Sequence, residues 1–286
     1  MEPTSIMEPV RKLKSGRELE GLTAMMAMPS YEHIHPGIAK CVRVAMMTAS
    51  NHGLRWAGDV SAHKLDFGTT RNMAAQSLFD HPKDADGIIW VDTDILLEPD
   101  SILKLLGDVR SYDLDFLCGV YHKKGEPYDA VFYGYDEVVD SYRGVESYGL
   151  NLLLRVYACG FGFVWTSFHT IDAMFQNKAH WDDSGKWFPD TRHMPQGWRS
   201  WDGRPPMGED FNFCDKARMA GIKLYVDTGI QLGHMGDGTI FNRNKYLDYL
   251  EKNGGKLPKL DKDRWRDTES ATTVSYTLCH FSPPDH

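Results

Sequence analysis

A short apolar run that ends in two acidic residues constrains this chain most. Residues 87–91 read Gly-Ile-Ile-Trp-Val and are followed at once by Asp92, Thr93 and Asp94. Such a run is typical of a buried strand in an α/β sheet, and residues i and i+2 of a strand point to the same side. The sequence therefore predicts that Asp92 and Asp94 converge at the carboxyl end of this strand, where open α/β sheets bind their ligands.

Two carboxylates in such a place repel each other unless a cation lies between them. A hard divalent ion prefers oxygen ligands and commonly brings a substrate diphosphate with it. A metal site is therefore favoured over the alternative reading of Asp92 and Asp94 as acidic turn or cap residues before a helix. The haloacid-dehalogenase type of acidic loop, a rival enzyme class, requires Thr or Val where this chain has Leu96.

Composition places the chain among ordinary globular proteins. It has 286 residues, 42% of them hydrophobic, which is enough for one large domain or two small ones. A formal net charge of -8 argues against a broad electrostatic grip on nucleic acid or anionic membrane. Five scattered cysteines fit neither a disulfide framework nor a zinc site, so a reducing, cytoplasmic compartment is expected. No membrane span is expected, because Asn151 and Arg155 interrupt the longest apolar region.

Apolar segments alternate between strand-like and helix-like spacing as far as residue 120. Strands are predicted at 22–28, 54–60, 87–94 and 114–120, with helices at 37–51, 69–79 and 99–106 between them. This alternation predicts the α/β class, with a parallel sheet and helices on both faces. Thr69 or Thr70 is predicted to cap the second helix.

The pattern changes after residue 121. Antiparallel strands are predicted at 128–135 and 147–157, then a loop at 178–208, a helix at 210–220, a strand at 222–227 and a helix at 243–252. We therefore divide the chain into a flexible arm (1–20), a main domain (21–242) with halves at 21–120 and 121–242, and a C-terminal helix and tail (243–286).

Four further clusters of residues have chemical potential. Glu209 and Asp210 open a helix, where acids are stabilised by the helix dipole but also suit general-base work on a hydroxyl. His234 lies between glycines and could ligate a metal, although a lone histidine is more often structural. Arg71 in a first helical turn could contact phosphate or simply lie on the surface. Gly160 and Gly162 would let backbone pass close to a ligand.

The loop 178–208 contains four tryptophans, at positions 181, 187, 198 and 201. Aromatic faces stack on sugars or bases, and long loops in compact domains commonly act as lids. Trp198 and Trp201, flanked by Gly197 and Gly203, are predicted to face the substrate, while one or two of the others pack the loop onto the core.

The order of these motifs resembles that of GT-A glycosyltransferases, particularly family-2-like enzymes of bacteria and phages. The resemblance covers roughly residues 22–236 and depends on the following series: Pro29-Ser30 after the first strand, Arg71-Asn72 on a helix, Asp92-Thr93-Asp94, Gly160-Phe161-Gly162-Phe163, Glu209-Asp210, and Gly233-His234. One departure concerns the nucleoside base, because the first strand ends Met-Pro-Ser-Tyr-Glu-His where family-2 enzymes have Pro-Thr-Tyr-Asn.

This resemblance implies a Rossmann-like nucleotide-sugar-binding sheet fused to an acceptor-binding part with antiparallel strands. It also implies roles for single residues: donor binding by Pro29, Ser30, Arg71, Asp92, Thr93, Asp94, Gly160 and Gly162; a Mn²⁺ or Mg²⁺ site of Asp92, Asp94 and His234; catalysis by Asp210 with Glu209 beside it; and acceptor contacts from Trp198 and Trp201.

The function implied is transfer of a sugar from a nucleoside diphosphate, expected to be UDP, to an acceptor hydroxyl. The acceptor class stays open among a glycan, a protein, a small molecule and a modified nucleobase. Two alternatives are a nucleotidyltransferase with a similar sheet and a non-catalytic carbohydrate-binding protein. The first is disfavoured because residues 29–37 offer no glycine-rich basic loop, and the second because Asp92, Asp94, Asp210 and His234 occur together.

Overall fold

The structure is a computed structural model that describes residues 18–30, 34–61, 65–136, 141–145, 148–177, 185–192, 206–236 and 238–255. Within these ranges the helices are α1 (Pro36–Asn51), α2 (Phe67–Asp80), α3 (Ser101–Tyr112), α4 (Phe168–Gln176), α5 (Glu209–Met219) and α6 (Arg243–Lys252). The strands are β1 (Thr23–Ala27), β2 (Arg55–Val60), β3 (Gly87–Val91), β4 (Ile95–Leu96), β5 (Phe116–Val120), β6 (Phe132–Asp136), β7 (Ser141–Gly144), β8 (Leu153–Val156), β9 (Ala158–Cys159), β10 (Phe163–Ser167), β11 (Leu224–Gln231), β12 (Gly233–Gly236) and β13 (Thr239–Phe241).

Seven strands form the central sheet in the order β2-β1-β3-β10-β5-β11-β8. Strands β2, β1 and β3 are parallel, as are β5 and β11. Strand β10 lies antiparallel between β3 and β5, and β8 is antiparallel to β11. The α/β class is confirmed. Because β10 is antiparallel to both β3 and β5, the strands of the first half (β1, β2, β3 and β5) all run in one direction, as predicted, and the antiparallel strands β8 and β10 of the second half make the sheet mixed.

All residues of β3 are buried, and their side chains alternate between two cores, one on each face of the sheet. Ile88 and Trp90 pack with α2, α4 and α5 on one face, whereas Ile89 and Val91 pack with α1 and α3 on the other. This alternation follows from the period of two in a strand. Helices therefore cover both faces of the sheet, as the sequence predicted.

Two small sheets flank the central one. Strands β13, β12 and β4 form the first, and β7, β6 and β9 form the second. In the first, the antiparallel register pairs His234 with Ile95, one residue beyond Asp94. This pairing brings the first residues of β12 close to the carboxyl end of β3.

The element ends differ from the predictions in a few places. Asp66, and neither Thr69 nor Thr70, caps α2, because its carboxylate accepts the backbone N–H of Thr69 at 2.8 Å. Leu19, assigned to the flexible arm, is buried in the core beside α1. A bilayer span requires about 20 apolar residues in a helix, and none of the helices in the described part of the chain meets that requirement.

Candidate functional site

The acidic motif lies just beyond β3 and not within it. Strand β3 ends at Val91, and the N–H of Asp92 donates to the carbonyl of Gly162 at 3.0 Å. Residues Asp92 to Asp94 then form a turn before β4, so the pleat of a strand does not orient their side chains. The carboxylates of Asp92 and Asp94 consequently contact different partners.

Asp94 meets two cationic or basic side chains through one oxygen. Its Oδ2 lies 3.2 Å from His234 Nε2 and 2.6 Å from Lys124 Nζ. Partial burial opposes ionisation of the Asp94 carboxyl, but the hydrogen bonds and charges of His234 and Lys124 lower its pKa below the usual value. Asp94 is therefore held as a carboxylate.

The ring of His234 is oriented by backbone. Its Nδ1 lies 2.7 Å from the carbonyl oxygen of His122, and a carbonyl can only accept, so Nδ1 carries a proton. Its Nε2 then faces the Asp94 carboxylate at 3.2 Å. A histidine fixed in this way by a carbonyl is the usual arrangement at metal centres.

Arg71 is the centre of the second half of the site. It is 1% exposed and reaches from α2 to three carboxylates. Its Nη2 donates to Asp92 at 2.8 Å, and its Nη1 donates to Glu209 at 3.1 Å and to Asp210. Asp210 also accepts the N–H of Phe161 at 3.2 Å. Arg71 thereby joins α2, the end of β3 and the start of α5.

Three carboxylates around one buried guanidinium leave excess negative charge. Burial raises the pKa of Asp92 to about 7, and the charge of Asp210 adds to this while Arg71 opposes it. Burial also raises the pKa of Glu209, again with help from Asp210. At the exposed side, Arg192 donates to Glu209 at 3.1 Å and brings a second cation to the cluster.

An aromatic wall encloses the Arg71 guanidinium. The rings of Phe161, Phe67 and Phe188 lie 5.3, 5.6 and 5.9 Å from its Cζ, distances at which cation–π attraction contributes. Its Nε has no hydrogen-bond partner among the described residues. These contacts fix Arg71 as a buried clamp, and its predicted contact with a nucleotide stays a prediction.

Tyr121 explains the two glycines of the Gly-Phe-Gly segment. A Cβ at Gly160 would lie 1.9 Å from the Tyr121 hydroxyl, and one at Gly162 would lie 2.7 Å from its ring. The same ring meets the His234 ring edge-on, with centroids 5.2 Å apart. Burial, together with the charges of Asp210 and Asp92, raises the pKa of the Tyr121 phenol well above its usual value. The absence of side chains at Gly160 and Gly162 therefore makes room for Tyr121. The predicted contact of these glycines with a ligand stays a prediction.

The remaining predicted residues are placed as follows. Pro29 and Ser30 follow β1, whose Ala27 pairs in parallel with Trp90, so they lie at the same sheet edge as Asp92. Thr93 lies in the turn between the two aspartates. Trp198 and Trp201, and with them the substrate-facing part of the predicted lid, lie outside the described residues.

Trp187, from the same loop, belongs to the core. It is 4% exposed, packs against Phe79 and Phe175, and donates to the carbonyl of Ile171 at 3.3 Å. This is the packing role that the sequence allowed for one or two of the tryptophans. Tyr121 and Lys124 were missed, because no motif marks them and only the tertiary fold brings them to the site. Arg192 belongs to the loop 178–208 that was predicted as a lid, and it contacts Glu209.

The side chains at this site supply some of the ligands that a divalent ion needs. Asp94 and His234 supply a carboxylate and an imidazole, whereas Asp92 Oδ1 is engaged by Arg71. Among the described residues no group of three or more His, Cys, Asp or Glu side chains is arranged to hold a metal. Mg²⁺ and related ions are commonly held by one or two protein ligands plus substrate phosphates, and the pair Asp94–His234 suits that mode.

Comparisons with known proteins give fold-level similarities only. No family model matches the chain, and no curated protein matches it. Similar solved structures include the following three. Protein A197 of STIV has a TM-score of 0.49 at 13% identity, over 78% of this chain and 92% of that one. GalNAc-T7, solved with UDP, GalNAc and Mn²⁺, has a TM-score of 0.47 at 11% identity, over 80% and 48%. The catalytic domain of Drosophila β1,4-galactosyltransferase 7, in complex with xylobiose, has a TM-score of 0.38 at 14% identity, over 78% and 71%.

Two of these three proteins are glycosyltransferases by name. Every TM-score is below 0.5, so a function for this chain has to be argued from its own site.

Proposed function

We propose that this chain is a metal-dependent glycosyltransferase of the GT-A type, which transfers a sugar from a nucleoside diphosphate, in first place UDP, to an acceptor hydroxyl. One observation carries the proposal. A ligand pair suited to a divalent cation (Asp94 and His234) and a clamped carboxylate cluster (Asp92, Glu209 and Asp210) lie together beyond the carboxyl end of β3. That sheet edge is where α/β folds bind nucleotides.

The donor half of the reaction depends on Asp94 and His234. These two residues would hold Mn²⁺ or Mg²⁺, whose charge stabilises a departing diphosphate. Asp92, held by Arg71 at 2.8 Å, would face the ribose, and its part in metal binding stays a prediction. Pro29, Ser30 and Thr93 would border the nucleoside and diphosphate, and Gly160 and Gly162 the donor sugar.

The acceptor half depends on Asp210. Its carboxylate is held by Arg71 and by the N–H of Phe161, and a quarter of the side chain is exposed. In an inverting reaction Asp210 would take the proton of the attacking hydroxyl, with Glu209 as a neighbouring contact. In a retaining reaction it would bind a sugar hydroxyl instead. Trp198 and Trp201 remain the predicted acceptor contacts.

The proposal is tested with a panel of nucleotide sugars, measured by thermal shift with and without Mn²⁺ and by release of free nucleoside diphosphate. A ligand that binds only the native state raises the melting temperature. We expect a UDP-sugar to do so only with Mn²⁺, and Asp94→Asn to abolish this rise and turnover while leaving the fold intact. Asp84→Asn, at an exposed position, is the matched control.

Other results would contradict the proposal. Stabilisation by a saccharide without any nucleotide would favour a carbohydrate-binding protein. Use of a nucleoside triphosphate with release of pyrophosphate would favour a nucleotidyltransferase. Full activity of Asp94→Asn, or full activity in excess chelator, would exclude the metal role.

A further inference from the structure

Lys124 occupies the oxygen that a metal ion would need. It lies on the connection from β5 to β6, and its Nζ is 2.6 Å from Asp94 Oδ2. This is the same oxygen that faces His234 Nε2 at 3.2 Å. Asp94 Oδ2 therefore contacts the ammonium group of Lys124 and also faces the imidazole of His234, a common metal ligand.

The path of the Lys124 side chain is built into the fold. A Cβ at Gly236 would lie 2.8 Å from Lys124 Cδ and 3.4 Å from its Cε. The stem thus crosses β12 at a residue that has no side chain, and a larger residue there would push it away. The neighbouring Lys123 points elsewhere, since its Nζ lies 3.4 Å from Asp129.

An ammonium group and a divalent ion repel each other when both contact this oxygen, because like charges a few ångströms apart interact unfavourably at a partly buried site. A metal ion that binds Asp94 and His234 must therefore displace Lys124. A free lysine is a flexible point charge with three donors, and a diphosphate bound to the same metal is the nearest strong acceptor that the proposed reaction supplies.

We infer that Lys124 is a resident cation that neutralises Asp94 while the site is empty and moves to the donor's diphosphate when a divalent ion takes its place. The inference rests on the proposed function. The displacement of Lys124 makes metal binding and nucleotide binding cooperative, because the metal ion releases Lys124 and the diphosphate then binds it. By thermodynamic linkage, each ligand raises the affinity for the other by the same factor.

The experiment compares Lys124→Met, which keeps a long unbranched side chain without its charge, with the control Lys123→Met. Binding of Mn²⁺ alone is measured by electron paramagnetic resonance, and binding of Mn²⁺ in saturating UDP is measured in the same way. We expect Lys124→Met to bind Mn²⁺ alone about two- to fivefold more tightly than the natural protein, the factor expected from an exposed ion pair. In Lys124→Met, the ratio of the Mn²⁺ affinity with UDP to the Mn²⁺ affinity without UDP should be lower than in the natural protein by at least the same factor. Lys123→Met should match the natural protein in both measurements.

The outcomes separate this inference from the function. If the natural protein binds Mn²⁺ and UDP together but Lys124→Met shows an equal or weaker affinity for Mn²⁺ alone, the role of Lys124 is overturned and the proposed function stands. An undiminished effect of UDP in Lys124→Met overturns it as well. If the natural protein binds neither Mn²⁺ nor UDP, both fall.

Discussion

Asp210 makes two bonds that a helix-capping acid would not make. Its carboxylate accepts from Arg71 on α2 and from the N–H of Phe161, both outside its own helix. The N-cap of α5 is Gly208, which makes no side-chain cap bond. The geometry therefore favours a site role for Asp210 over capping alone, although the start of a helix also suits its charge.

Asp210→Asn should lower kcat by about a hundredfold or more if Asp210 takes the acceptor proton, because an amide keeps the shape but cannot accept it. UDP binding, measured by calorimetry, should stay close to normal. Glu209→Gln removes a first-turn charge without removing the base, so a smaller loss is expected. A loss below about tenfold for Asp210→Asn would point to a retaining mechanism or to a structural role.

Single residues show where the sequence informs and where it does not. The strand-end position of Asp92 and Asp94 predicted a ligand site at the sheet edge, and the resemblance to GT-A glycosyltransferases implied that Asp210 and His234 belong to the same site. The sequence could not show that Arg71 donates a hydrogen bond to the carboxylate of Glu209, because these residues are 138 positions apart in the chain. Arg71 was predicted in the first turn of its helix, but α2 begins at Phe67, so Arg71 lies in the second turn and is buried.

At the scale of elements, α2, α5 and the end of β3 are joined through Arg71. The guanidinium is shared by carboxylates from two of these elements and is packed against aromatic rings. Burial opposes its charge, but the carboxylates of Asp210, Asp92 and Glu209 raise its pKa. Removal of one partner from a buried charge cluster is costly, because the others are left uncompensated.

Arg71→Lys tests this clamp. Lysine keeps the charge but cannot reach three carboxylates with a planar fork, so we expect a loss of about 2–4 kcal/mol in the free energy of unfolding by urea. The same change at Arg55, which is exposed on β2, should cost less than about 0.5 kcal/mol. A loss at Arg71 as small as that at Arg55 would contradict the clamp.

The antiparallel strand β10 is the element-level feature that the sequence did not reveal. Residues 163–167 form β10, whose first three residues are apolar. Strand β10 pairs with β3 in the antiparallel direction. Hydrophobic runs mark a buried strand but carry no sign of direction, which is set by the connections on either side. Helix periods, by contrast, are local, and α1, α2, α5 and α6 were predicted within a few residues of their bounds.

At the scale of the whole molecule, both halves of the chain build one sheet. Strands β1 to β3 come from the first predicted half, whereas β8, β10 and β11 come from the second. The second half also contributes Asp210 and His234 to the site at the end of β3. The boundary near residue 120 therefore does not separate the central sheet into two.

A second buried acidic pair lies away from this site, between α3 and β11. Asp108 and Asp227 are 4% and 1% exposed, and the two carboxyls interact electrostatically. Burial, together with Asp227, raises the pKa of Asp108 to about 8, and burial also raises the pKa of Asp227. Asp227 in addition accepts the N–H of Gly229 at 2.7 Å. Asp108 therefore stays protonated to a higher pH than a solvent-exposed carboxyl.

This pair should make the whole protein less stable as the pH rises. An acid with a raised folded-state pKa binds more protons when folded than when unfolded, so its contribution to stability is complete below an unfolded pKa of about 4 and is lost as the pH rises towards about 8. Asp108→Asn keeps a donor for Asp227 but cannot ionise. We expect the difference in unfolding free energy between pH 5 and pH 8.5 to become smaller by roughly 1 kcal/mol or more, measured by urea denaturation. The exposed Asp84→Asn should leave that difference unchanged. An identical pH dependence in Asp108→Asn and the natural protein would show that the pKa of Asp108 is not raised in the folded protein.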